Sequence, residues 1–123
     1  MDLHIEKTNS TPLIDFDRQL RVLTMQGESY PENSFDFYAP VLAWLSETLP
    51  TLPGLRLDVA VSYMNSSSIK CMLDILDVLE AAHKEGKAVS VVWIYDEDNP
   101  RALDLAEEFR SEVTLPFTMS AAT

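Results

Sequence analysis

Between Leu55 and Tyr95 the chain spells out a strand, a helix and a second strand with almost nothing between them. In LRLDVAVSYM, Leu55, Leu57, Val59, Val61 and Tyr63 alternate with Arg56, Asp58, Ala60 and Ser62, the period of a strand with one apolar face. Helical periodicity then holds from about Ser67 to Lys84, and Gly86 stands where a C′ glycine closes a helix. AVSVVWIY, residues 88–95, is a nearly continuous apolar run, the pattern of a central strand covered on both faces. A strand, a crossover helix and a parallel strand in one sheet are joined right-handedly in almost every case. This unit commits the chain to an α/β fold.

The flanking segments extend it. Residues 3–5, 13–16 and 20–27 read as strands, the last with a turn at Gly27, and the first of them can pair as an antiparallel hairpin. SYPENS, residues 29–34, is a loop whose Asn33 or Ser34 caps a helix over residues 35–49. Pro40 removes a backbone donor there, so the helix either kinks or begins at that point. Pro50 and Pro53 end it. Residues 96–110 form a further helix, with Asn99 as cap and Pro100 at its first position. Residues 113–119 read as a last strand, and Pro116 within it argues for a sheet edge. The expected architecture is one domain over residues 1–123, a mixed, mostly parallel sheet of four to six strands with about three helices.

Charge narrows the function. Nine basic residues against twenty acidic ones give a formal net charge of −11, a field that repels nucleic-acid backbones and anionic membranes. No apolar run is long enough to span a bilayer, and the acidic N-terminal segment lacks the character of a secretory signal. A single cysteine, Cys71, leaves no internal disulfide and fits a reducing cytoplasm.

The junction YMNSSSIK places three serines between the strand and the long helix. A serine nucleophile needs a base, and the two histidines are poorly placed. His83 lies near the far end of the same helix, roughly 20 Å away at 1.5 Å per residue, and His4 has no recognisable orienting partner. There is no G-x-S-x-G elbow, and the glycines and lysine of a phosphate-binding loop are missing. Two roles remain. Asn65 or one of Ser66, Ser67 and Ser68 caps the helix, or a serine accepts a phosphoryl group at a helix end that tolerates negative charge.

The helix itself is apolar over an arc of roughly 200°, wider than the roughly 100° a surface helix requires. Either it is deeply buried, or one flank docks a partner. Met64, Ile69 and Met72 would lead such a docking face, with Asn65, Ser67, Ser68 and Lys70 at its edge. Tyr30, Glu32 and Asn33 make the SYPENS loop a second candidate contact. Asp96, Glu97 and Asp98 suggest an alternative, a small metal-dependent enzyme, although Asp and Asn before a proline-started helix are ordinary capping chemistry. A third alternative is a structural homodimer subunit built on the wide apolar arc. Trp44 and Trp93 lie in apolar runs and are assigned to the core, as is Cys71.

The strand followed by MNSSSIKCMLDILDVLEAAH resembles the STAS-like domains of bacterial partner-switching systems. More closely, STPLI, MQGESYPENSFDFYAPVLAWL, YMNSSSIKCMLDILDVLEAAHKEGKAVSVVWIYDEDN and LAEEFRSEVTLPF are similar to the SiaC family of regulatory phosphoproteins. The resemblance implies a non-enzymatic switch without cofactor. A SiaB-type kinase phosphorylates it, a SiaA-type PP2C-like phosphatase reverses this, and the unphosphorylated form activates a diguanylate cyclase that controls cyclic-di-GMP and biofilm formation. By position the implied acceptor is Ser66, directly after Asn65, with Ser67 and Ser68 as runners-up.

Overall fold

The computed structural model describes residues 2–122. Six strands form one sheet in sequence order: β1 (His4–Ile5), β2 (Leu13–Asp17), β3 (Val22–Ser29), β4 (Gly54–Met64), β5 (Ala88–Tyr95) and β6 (Phe117–Ala121). β1, β2 and β3 pair antiparallel, as the expected hairpin, and β3 to β6 are parallel. The crossovers are α1 (Ser34–Thr48), α2 (Ser66–Lys84) and α3 (Pro100–Ser111). Each parallel strand lies beside its predecessor, and the sheet always grows in one direction. Right-handed crossovers then put all three helices on the same face.

That topology corrects the reading of β5. Val89, Val91 and Trp93 are buried under the helices, but Ser90, Val92 and Ile94 on the other face are only half-buried. No crossover can cover that face. It carries polar pairs instead, among them Arg56 Nε to Asp58 Oδ1 at 2.8 Å and His4 Nδ1 to Asp15 Oδ1 at 2.7 Å. The helix side holds the core, with Trp93 packed 4.8 Å from Phe109 between ring centroids. Trp44 is half-buried at the margin, its ring 4.7 Å from Phe16.

The wide apolar arc of α2 has a direct cause. α2 is the middle helix of the row, so it faces the sheet and α1 together, burying Cys71, Met72, Ile75, Leu76, Leu79 and Ala82. Deep burial also pushes the Cys71 thiol up, against any activating effect of the helix end. The same coverage removes the basis for a permanent homodimer on that arc.

Other differences are local. α1 begins at Ser34, where Asn33 Oδ1 accepts the Asp36 N–H at 3.1 Å, and Pro40 lies inside the helix on its exposed side. β3 continues to Ser29, so Gly27 is no turn. It sits at a register shift with φ of +130°, a conformation glycine adopts freely. Gly27 pairs with Val61 and Glu28 with Tyr63, leaving Ser62 as an extra residue in β4. The bulge inverts the alternation: Tyr63 turns out to solvent and Met64 turns in. Pro116 precedes β6 rather than interrupting it, and β6 is an edge strand as expected.

Two expected outcomes arise from this frame. A Cβ on Gly54 would stand 2.1 Å from the carbonyl oxygen of Ala88, its partner in β5, and backbone cannot yield there. Gly54→Ala therefore destabilises the protein by about 3 kcal/mol, read as a lower urea midpoint. An unchanged midpoint contradicts this packing. His4 lies between Glu6 Oε1 and Asp15 Oδ1, each at 2.7 Å, and these carboxylates, Glu6 first, raise its pKa. A raised folded-state pKa gives a stabilisation that is complete below the unfolded value of about 6.5 and fades as pH rises through the folded one. The His4 imidazole resonance should titrate with a midpoint above 6.5; a midpoint at or below that value removes the contact.

Candidate functional site

The N-termini of α1 and α2 meet at one pole of the molecule, and Asn65 joins them. Its N–H donates to Ser29 O at 2.9 Å, its Oδ1 accepts from Ser68 N at 2.9 Å, and its Nδ2 donates to Pro31 O at 3.3 Å. One side chain thus caps α2 and holds the SYPENS loop.

Behind it runs a chain of hydroxyls. Ser67 Oγ donates to Ser34 Oγ at 2.8 Å, and Ser34 Oγ and Ser68 Oγ share a bond of 3.0 Å. Ser29 Oγ donates to Ser68 Oγ at 2.7 Å and lies 2.6 Å from the Tyr38 hydroxyl. Burial pushes the Tyr38 phenol up to about 12, only partly offset by its bond to Ser29. Among the described residues no buried side-chain polar atom lacks a partner. A buried polar network that is fully satisfied fixes its members in place.

The three serines are therefore not equivalent. Ser68 is fully buried and bonded on two sides, and Ser67 is half-buried and bonded to Ser34. Ser66, the first residue of α2, is exposed, and its hydroxyl has no hydrogen-bond partner among the described residues.

At the same pole, where β3 and β4 end and α1 and α2 begin, aromatic side chains are left in water. Tyr30, Phe35 and Tyr63 are 41%, 52% and 55% exposed, three of the four large apolar residues so exposed among those described. Tyr30 and Tyr63 meet edge-on at 5.8 Å between centroids, and Lys70 Nζ lies 5.9 Å from the Phe35 ring centre. Such a patch beside polar groups is the usual surface of a protein contact. A groove of about 570 Å³ continues it between α2 and α3, lined by Tyr63, Met64, Ile69, Arg101 and Leu105 among others.

The expected contact residues divide accordingly. Lys70 is exposed, Asn65, Ser67 and Ile69 are half-buried, and Tyr30, Glu32 and Asn33 are exposed on the adjoining loop. Met64, Ser68 and Met72 are corrected to interior positions, 6%, 0% and 0% exposed, because the bulge turns Met64 inward and α2 lies under its neighbours. Phe35 and Tyr63 were missed. The helical wheel set by Tyr38, Val41 and Leu45 puts Phe35 roughly 60° beyond the edge of the buried arc, a signal open to inspection. For Tyr63 no signal exists short of the bulge.

The acidic run behaves as capping chemistry. Asp96 Oδ1 accepts the Asp98 N–H at 2.9 Å, and Asn99 Oδ1 accepts the Arg101 N–H at 3.1 Å. Among the described residues no group of three His, Cys, Asp or Glu side chains is placed to hold a metal ion.

Comparison with known proteins agrees with the fold. The family model described as SiaC family regulatory phosphoprotein matches residues 5–122. A protein of Pseudomonas aeruginosa (strain UCBPP-PA14), described as uncharacterized, is 49% identical over 121 residues, covering 98% of this chain and 96% of that one. The crystal structure of apo-SiaC from Pseudomonas aeruginosa is similar, with a TM-score of 0.93, 48% identity and coverage of 98% of this chain and 99% of that one. So is the crystal structure of diguanylate cyclase SiaD in complex with its activator SiaC from Pseudomonas aeruginosa, at a TM-score of 0.93, 48% identity and coverage of 98% and 100%.

Proposed function

The chain belongs to the SiaC family of regulatory phosphoproteins, and from that premise we propose that it is a phosphorylation-controlled activator of a diguanylate cyclase, with Ser66 as the switch. The observation that carries this reading is the sorting of the serine run. Of the three serines only Ser66 presents its hydroxyl to solvent without a partner among the described residues, at the first position of α2 and at the same pole as the exposed Tyr30, Phe35 and Tyr63.

In this reading the aromatic patch docks the cyclase in the unphosphorylated protein; a complex of SiaC with the diguanylate cyclase SiaD in Pseudomonas aeruginosa supports the choice of partner. A SiaB-type kinase transfers the γ-phosphoryl group of ATP to Ser66. The Oγ–P bond forms as the bond to ADP breaks, and the hydroxyl proton passes to a base of the kinase. The product gains about −1.5 to −2 charges at the patch. Covering that charge with a partner costs more than the patch returns, so the cyclase is released. A SiaA-type PP2C-like phosphatase hydrolyses the phosphoserine and resets the switch. The chain itself is a cytoplasmic binding module without catalytic groups, and its output is the level of cyclic-di-GMP and hence biofilm formation.

Incubation with the cognate kinase and ATP, followed by site-resolved mass spectrometry, tests the assignment. Phosphate on Ser66, with loss of cyclase activation in proportion to occupancy, is the expected result. Phosphate confined to Ser67 or Ser68 overturns it.

A further inference from the structure

Lys70 stands four residues after Ser66 on α2, so the two side chains share one face of the helix. Its ammonium group is exposed and lies over the ring of Phe35, the second residue of α1, at 5.9 Å. That distance is near the outer limit of a cation–π contact, so the ring holds the lysine weakly. Among the described residues no carboxylate lies within 4.0 Å of Lys70 Nζ to hold it elsewhere.

We propose that Lys70 is the intramolecular counter-ion of phosphorylated Ser66, and that it leaves Phe35 to take up this role. The inference rests on Ser66 as the acceptor and adds what phosphorylation does to the surface around it. An anion at position i and a cation at i+4 is the favourable order on a helix. A phosphoryl group also offers charged acceptor oxygens, which an aromatic face does not. Once the lysine moves, the phosphate is drawn down onto α2 and Phe35 loses the cation above it. Phosphorylation then changes the docking patch twice, at the serine and at a ring on the neighbouring helix. Charged residues on the neighbouring elements are Asp74 one turn further along α2, Asp36 on α1, and Arg101, Asp104 and Glu108 in the groove on α3.

The test uses full-length protein with phosphoserine installed at position 66 during translation, so it does not depend on which serine a kinase selects. Two readouts are taken by NMR. The ε-methylene resonance of Lys70, displaced by the Phe35 ring current in the unmodified protein, should move toward its free-chain value. The second ionisation of the phosphate should have a lower midpoint than in phosphorylated Lys70→Met, with Lys70→Arg restoring it and Arg101→Met leaving it unchanged. An unmoved Lys70 resonance, equal midpoints in the wild type and Lys70→Met, or an equal change in Arg101→Met overturns the proposal. Failure here leaves Ser66 standing as acceptor, whereas phosphate found elsewhere by mass spectrometry removes the acceptor itself.

Discussion

Ser66→Asp lowers affinity for the diguanylate cyclase by at least about a hundredfold while leaving the fold intact. The two halves of that expectation have separate causes. Position 66 opens α2, where exposed N–H groups and the helix dipole favour an anion, so a carboxylate there is neutral or stabilising by up to about 1 kcal/mol. In the proposed complex the same carboxylate is covered together with the exposed Tyr30, Phe35 and Tyr63 and loses its water. Covering a charge costs several kcal/mol in desolvation even where Lys70 pairs with it, and about 2.8 kcal/mol already corresponds to a hundredfold. Ser66→Ala removes the acceptor hydroxyl but no hydrogen bond among the described residues, so it binds as the wild type does and activates the cyclase whether or not the kinase is present. Titration calorimetry against the cyclase, with a thermal melt of each variant, reads both halves. An Asp variant that melts normally and binds with wild-type affinity refutes the switch.

How much of this could be read from the chain follows physical lines. The elements with a clean period, β4, α2, β5 and α3, were legible because side-chain alternation and capping residues such as Asn99 and Gly86 are local signals. The coverage of β5 was not local. Its apolar run is compatible with two covered faces or one, and only the order β3-β4-β5-β6 decides between them. The site was half legible for a similar reason. Residue type and spacing placed a cap among Asn65 and Ser66–Ser68 and a helix start near Ser67, SYPENS was suspected as a neighbour, and only the structure singles out Asn65 as the cap and Ser66 as the first helical residue. The pairing of Glu28 with Tyr63 rather than Ser62 leaves no mark on the sequence, and this one extra residue exchanges Tyr63 and Met64 between surface and core. Met72 failed through the opposite error. A methionine at an apolar helix position suits contact and packing equally, and the middle place of α2 in the helix row settles it as packing.

Ser68→Asp, two residues further on, should do the reverse of Ser66→Asp and destabilise the fold by about 4 kcal/mol. Ser68 is fully buried, its Oγ within 3.0 Å of both Ser29 Oγ and Ser34 Oγ, and this pair of contacts ties β3 and α1 to α2. A carboxylate exceeds the space of a hydroxyl, carries charge into a buried network of hydroxyls, and can only accept hydrogen bonds. Against a total stability of about 5–15 kcal/mol for a typical domain, a loss of this size lowers the urea midpoint severely and frays the junction that presents Ser66. Ser68→Ala is milder, about 1–2 kcal/mol, because it leaves Ser29 and Ser34 short of one partner without adding charge. The ordering expected in urea is therefore Ser66→Asp near the wild type, Ser68→Ala below it and Ser68→Asp far below. A Ser68→Asp protein as stable as the wild type would mean that the hydroxyl chain does not hold the helix ends together. If the ordering holds, a phosphoryl group larger than a carboxylate has no place on Ser68 in the folded protein. A kinase acting on the native state then meets one available hydroxyl at the head of α2, that of Ser66, with Ser67 half-covered behind it and committed to Ser34.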